Sequence, residues 1–103
     1  MSKRRLTILG STGSIGKSTL ALVDAAPDRF AVQALVAGGN HKLLAEQALK
    51  YRPAIVGLND PAGYEALRTA LADTSIEIVV GQKACDGIAA IRVDVVVAGI
   101  TGL

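Results

Sequence analysis

Short apolar runs alternate with segments of helical spacing along the whole chain. Leu6-Thr7-Ile8-Leu9 is rich in β-formers and enters the turn Gly10-Ser11-Thr12-Gly13-Ser14-Ile15-Gly16, so a strand is expected over about residues 5 to 10. Ser14 to about Ala26 then reads as a helix whose Leu20, Ala21 and Val23 face a sheet, and Pro27-Asp28 stops it. Phe30 to Ala37 is nearly unbroken apolar sequence, as expected of a parallel strand covered on both faces, and it ends at Gly38-Gly39-Asn40. His41 to Tyr51 carries Leu43, Leu44, Ala48 and Tyr51 at helical spacing, with Pro53 beyond it. Ala54 to Leu58 is a third strand, and a helix capped by Asn59 or Asp60 runs to about Leu71. Ile76 to Val80, a helix from Gly81-Gln82 to about Ile91, and Asp94 to Ala98 complete the pattern.

The order βαβαβαβαβ with short connections predicts an α/β fold, a Rossmann-like doubly wound open parallel sheet of about five strands with helices on both faces. At 103 residues the chain is one domain, 1–103, burying roughly 60 to 70% of its unfolded surface. No internal repeat or low-complexity linker interrupts it. The fifth strand runs straight into Gly99-Ile100-Thr101-Gly102-Leu103. Ligands of such sheets bind outside the carboxyl ends of the strands, so the expectation is a sheet truncated after its fifth strand, the amino-terminal fragment of a longer enzyme.

Charge narrows the partners. Eleven basic and nine acidic residues give +2 and are scattered, with Lys3-Arg4-Arg5 the one basic cluster, read as a solvated lead into the first strand. That pattern points to no nucleic acid and no membrane partner. A single cysteine, Cys85, excludes an internal disulfide and fits a reducing compartment; it reads as a small buried apolar residue. With no apolar run near about 18 residues and no signal-type amino terminus, a soluble cytoplasmic protein is expected.

Three glycines spaced Gly10-x-x-Gly13-x-x-Gly16 after a strand and before a helix point to a phosphate ligand. In the dinucleotide reading Gly10 makes the turn, Gly13 admits a pyrophosphate and Gly16 lets helix and strand touch. Amides of Thr12 to Ile15 would donate to phosphate oxygens, with the hydroxyls of Thr12 and Ser14 beside them. A nucleoside triphosphate loop competes, because Gly16-Lys17-Ser18 matches the end of that motif. It requires glycine where this chain has Ser11, and no acid closes the third strand. A purely structural turn would need fewer glycines.

The end of the second strand separates the nicotinamide cofactors. An NAD site places a carboxylate there for the ribose 2′-hydroxyl, whereas a 2′-phosphate repels one. Gly38, Gly39, Asn40, His41 and Lys42 stand there, with no acid before Glu46. NADP is favoured: Asn40 can donate, the glycines leave room, and His41 or Lys42 supplies positive charge.

Residues 6 to 16, Leu-Thr-Ile-Leu-Gly-Ser-Thr-Gly-Ser-Ile-Gly, and 34 to 40, Ala-Leu-Val-Ala-Gly-Gly-Asn, resemble the amino-terminal cofactor domain of the 1-deoxy-D-xylulose-5-phosphate reductoisomerase family. Gly81 to Ala89 and Val96 to Leu103 are also similar, so the resemblance extends over essentially the whole chain. It implies an oxidoreductase of isoprenoid biosynthesis by the non-mevalonate (MEP) pathway. The full-length enzyme uses NADPH and Mg2+ or Mn2+ to convert the phosphosugar 1-deoxy-D-xylulose 5-phosphate into 2-C-methyl-D-erythritol 4-phosphate, and is a homodimer.

The family's cofactor contacts carry onto Thr12, Gly13, Ser14 and Ile15 in the first loop and onto Gly38, Gly39 and Asn40 in the second. Many members have lysine at the position of Gly39, a contact that Lys42 would partly replace. No catalytic and no metal-binding residue is carried over, and Asp24, Asp28 and Glu46 read as unpartnered surface charge. The fragment alone is therefore expected to be inactive. Other NADP-dependent oxidoreductases, such as a semialdehyde dehydrogenase, and an ATP-binding phosphotransferase are the alternatives. An uncovered sheet face around Val95 to Val97 predicts self-association.

Overall fold

β-forming residues at Leu6, Thr7 and Ile8 are buried in the first strand, β1 (Arg4–Leu9), around which the sheet is assembled. The computed structural model describes residues 3–98. Gly99 to Leu103, the expected bare stretch after the fifth strand, lies outside the described residues. The remaining strands are β2 (Phe30–Ala37), β3 (Ile55–Leu58), β4 (Glu77–Val80) and β5 (Val95–Ala98). All pair in parallel in the order β4-β3-β2-β1-β5. The α/β, Rossmann-like expectation is therefore met.

The helices are α1 (Ser14–Ala25), α2 (His41–Tyr51), α3 (Tyr64–Ala70) and α4 (Gln82–Ala89). The first three connections each step one strand toward the β4 edge, so right-handed crossovers place α1, α2 and α3 on one face. The main core lies there, with Leu20 and Val23 of α1, Leu44 and Ala48 of α2 and Leu67 of α3 on Leu6, Ile8, Leu35 and Val56. The β4–β5 connection returns across the whole sheet and carries α4 over the opposite face. Its Cys85 and Ile88 pack on Ala34 and Val36. Cys85 is thus the buried apolar residue expected, and burial pushes its thiol pKa up.

Two helix expectations change. Gly16, Leu20 and Val23 form the buried stripe of α1, spaced i, i+4, i+7, while Ala21 is exposed. The single helix expected from residue 59 to 71 begins as a 3-10 turn, Pro61–Gly63, before α3. The Asp60 side chain accepts from Ala62 N at 3.0 Å. Gly63 is pressed so close that a Cβ would stand 2.7 Å from Leu58 Cδ2 and 3.0 Å from His41 Cβ. Arg4 and Arg5, expected as a lead, belong to β1 itself, where Arg5 N donates to Asp94 Oδ2 at 2.7 Å.

Candidate functional site

The loop after β1 leaves the sheet at its topological switch point. β1 pairs with β2 on one side and with β5 on the other: the chain steps from β1 toward the β4 edge and then returns to lay β5 on the far side of β1, so the strand order reverses at β1, the place where such sheets form a crevice at the strands' carboxyl ends. Gly10 makes the turn at φ +80°, a conformation natural to glycine. Its amide and that of Ser11 both donate to the Val36 carbonyl, at 2.8 and 2.9 Å, which ties the loop to the end of β2. Gly13 N then closes the turn on Gly10 O at 3.1 Å.

Gly16 is required by contact rather than by torsion. A Cβ there would stand 2.4 Å from Gly10 O and 2.6 Å from Ser11 Cα, so α1 starts flush against the turn. Gly13 caps α1 with no side-chain hydrogen bond. The first amides of a helix have no intrahelical acceptor. Among the described residues, the amides of Thr12, Ser14 and Ile15 reach no backbone or side-chain acceptor. Three neighbouring donors at the positive end of a 12-residue helix form an anion cradle. Gly13, Ser14 and Ile15 are exposed and Thr12 is half-buried.

The second predicted segment lies beside the first, because Gly38 follows Val36 by two residues and Val36 O holds the loop. Gly38 O accepts from Asp60 N at 2.9 Å and Gly39 O from His41 N at 2.9 Å. Asn40 Oδ1 accepts from Leu43 N at 3.2 Å, so the side chain caps α2 while its NH2 end remains a donor. A Cβ on Gly38 would meet nothing within 4 Å. His41 is half-buried with its ring edge against Gly63, and Lys42 is exposed.

Two residues of this site escape sequence reasoning. Asp60 is 21 positions from Gly39, yet its Oδ2 would be 3.9 Å from a Cβ on Gly39, so a carboxylate does stand near the end of β2. Its signal in the sequence was only that of a helix cap. Gln47 is the second: it lies on the buried face of α2 and donates from Nε2 to the Ser11 carbonyl at 2.8 Å. A glutamine at a core position of an amphipathic helix was the available signal.

Other side chains fall outside the cradle. Lys17 is exposed in the first turn of α1. Asp24, read as unpartnered, accepts from Tyr51 Oη at 2.9 Å and from Lys50 Nζ at 3.1 Å. Those two donors, Tyr51 foremost, hold its carboxyl below the ordinary range. Among the described residues no three His, Cys, Asp or Glu side chains converge, and no helix is long and apolar enough to cross a membrane.

A family model described as 1-deoxy-D-xylulose 5-phosphate reductoisomerase matches residues 6–103. Among curated relatives of that name, one from Photorhabdus laumondii is 47% identical over 103 residues, covering 97% of this chain and 26% of the relative. Another, from Gluconobacter oxydans, is 44% identical over 101 residues, covering 98% and 25%. Among solved structures, the reductoisomerase from Zymomonas mobilis in complex with NADPH superposes at a TM-score of 0.93 with 41% identity, over 99% of this chain and 27% of that one. A second, in complex with NADPH, fosmidomycin and magnesium, gives 0.88 with 34% identity over 96% and 25%. The chain spans about a quarter of the length of the curated relatives it matches. It belongs to the 1-deoxy-D-xylulose 5-phosphate reductoisomerase family.

Proposed function

We propose that residues 1–103 are the NADPH-binding domain of a 1-deoxy-D-xylulose 5-phosphate reductoisomerase, a cytoplasmic homodimer in its full-length form. Thr12, Gly13, Ser14 and Ile15 hold the pyrophosphate, and Gly38, Gly39 and Asn40 receive the 2′-phosphorylated ribose. The observation that carries the reading is the set of unclaimed amides on Thr12, Ser14 and Ile15 at the switch point of the sheet. The close crossing of Gly16 sets the start of α1 flush against the loop, so that the helix's first amides stand beside that of Thr12, and Asn40 keeps a free donor at the other end. The relatives solved with NADPH support the same ligand.

When bound, NADPH supplies the hydride that reduces the rearranged phosphosugar. This chain's part is to bind and orient it. The loop amides donate hydrogen bonds to the pyrophosphate, the glycines admit the backbone close to it, and the start of α2 anchors the adenosine end. The residues described here do not fit a Mg2+ or Mn2+ site, so the metal is assigned to the part of the family's length that this chain does not span. The phosphosugar and the catalytic groups are assigned there too, which leaves this piece without turnover.

Titration of the 103-residue chain with NADPH, NADH and ATP-magnesium tests the reading. NADPH is expected to bind tightest. Equal affinity for NADPH and NADH removes the 2′-phosphate argument, and preference for ATP-magnesium replaces the reading with a phosphotransferase. Turnover of 1-deoxy-D-xylulose 5-phosphate with manganese by this chain alone refutes the division of labour.

A further inference from the structure

Gln47 makes the one side-chain bond from another element into the glycine loop among the described residues, a buried contact linking positions 36 apart. Its neighbours Leu44, Ala45 and Ala48 are apolar, and it is only 7% exposed. An aliphatic side chain would fill that place without the cost of dehydrating an amide. The polar group is therefore placed for what it holds.

What it holds is the Ser11 carbonyl, drawn toward α2 and the interior. In a trans peptide the carbonyl oxygen and the next amide hydrogen lie on opposite sides of the plane. With Ser11 O turned inward, Thr12 N–H is turned outward, where it meets no protein acceptor. Were that peptide reversed, a carbonyl oxygen would face the crevice and repel phosphate oxygens. Gly10 N and Ser11 N, both on Val36 O, fix the loop just before this peptide, and Gly13 N on Gly10 O fixes it just after. The Ser11–Thr12 plane is the remaining degree of freedom, and Gln47 sets it.

We propose that Gln47 is a positioning residue for the dinucleotide, aiming the Thr12 amide at the pyrophosphate by holding the Ser11 carbonyl from behind. The inference rests on the cofactor reading above and adds a residue that touches no part of the ligand.

Two ligands separate positioning from support of the fold. NADP+ spans both loops, whereas 2′-phosphoadenosine occupies only the Gly38–Asn40 end. Calorimetric titration of Gln47→Met is expected to show NADP+ affinity reduced about tenfold, the size of one charge-assisted hydrogen bond, with 2′-phosphoadenosine within about twofold of wild type. Equal losses for both ligands, or no loss for either, overturn the proposal. Gln47→Glu supplies a second readout if the methionine variant does not fold. Its carboxylate can only accept, favouring the reversed peptide, and only its protonated form can donate to Ser11 O. Its NADP+ affinity relative to wild type is expected to recover between roughly pH 8 and pH 6, the range of a buried carboxyl. A ratio flat with pH overturns the proposal. A wild-type chain that binds neither ligand removes the cofactor reading and this inference with it, whereas normal NADP+ binding by both variants removes this inference alone.

Discussion

Gly16 crosses Gly10 so closely that a Cβ on Gly16 would stand 2.4 Å from the Gly10 carbonyl oxygen. The obstacle is backbone, which cannot rotate aside as a side chain can. Gly16→Ala is expected to destabilise the fold by about 1–3 kcal/mol, the usual cost of overpacking, and to abolish NADPH binding by shifting the start of α1. A thermal melt and a titration check this. Gly87→Ala is the control: it lies in α4, a Cβ there meets nothing within 4 Å, and its melt should be unchanged or raised.

A Cβ on Gly39 would meet Asp60 at 3.9 Å, an ordinary contact, so a larger residue fits there. Gly39→Lys is expected to raise NADPH affinity roughly twofold to fivefold and leave NADH nearly unchanged, the Coulomb effect of one charge at several ångströms near water. Asp60→Asn should move the same ratio the same way, because the amide oxygen can keep the cap on Ala62 N while the negative charge is lost. Both gains should shrink in high salt. Titrations that leave the NADPH-to-NADH ratio unmoved in both variants would show that Asp60 lies too far from the 2′-phosphate to matter.

Asp24 links the two helices through Tyr51 and Lys50. Its lowered pKa means that the contact stabilises the fold above the ordinary value of 3.8 and that this stability is lost as pH falls through the lowered value. Lys50 behaves in the opposite sense: its raised pKa gives stability present below 10.5 and lost as pH rises through the raised value. Asp24→Asn should therefore flatten both the acid and the alkaline limbs of a plot of melting temperature against pH. The exposed setting makes the effect small and sensitive to salt.

Among the described residues β5 forms an edge of the sheet, with Val96 at 46% exposure and Val95 and Val97 half-buried. Leu22 on α1 is 66% exposed. Apolar surface beside a strand edge favours pairing between copies. Light scattering of the 103-residue chain should show association rising with concentration, and Val96→Lys should reduce it. A monomer at all concentrations would argue against the edge as a sticky surface.

Most of the fold was legible because its signals are local. Phe30–Ala37 and His41–Tyr51 have the bounds that their apolar run and helical spacing predict. The break at Pro61–Gly63 was not, since the close approach of Leu58 and His41 to Gly63 at its end joins residues far apart along the chain. Ala21 was placed on the buried stripe because it is apolar, but the stripe begins at Gly16, whose burial follows from the loop it touches. The glycine loop and the end of β2 were readable as motifs. Gln47 and Asp60 were not, because each acts on a residue far away in sequence.

The Val36 carbonyl receives two amides of the glycine loop, and two residues later the same strand becomes Gly38. The two stations that would grip the opposite ends of the adenosine diphosphate moiety are thus mounted on one length of backbone. The hydrogen bonds to Val36 O and the continuity of the chain into Gly38 hold both to the end of β2. A ligand of fixed span then meets a gauge already set to length, so little ordering remains to be done when it arrives.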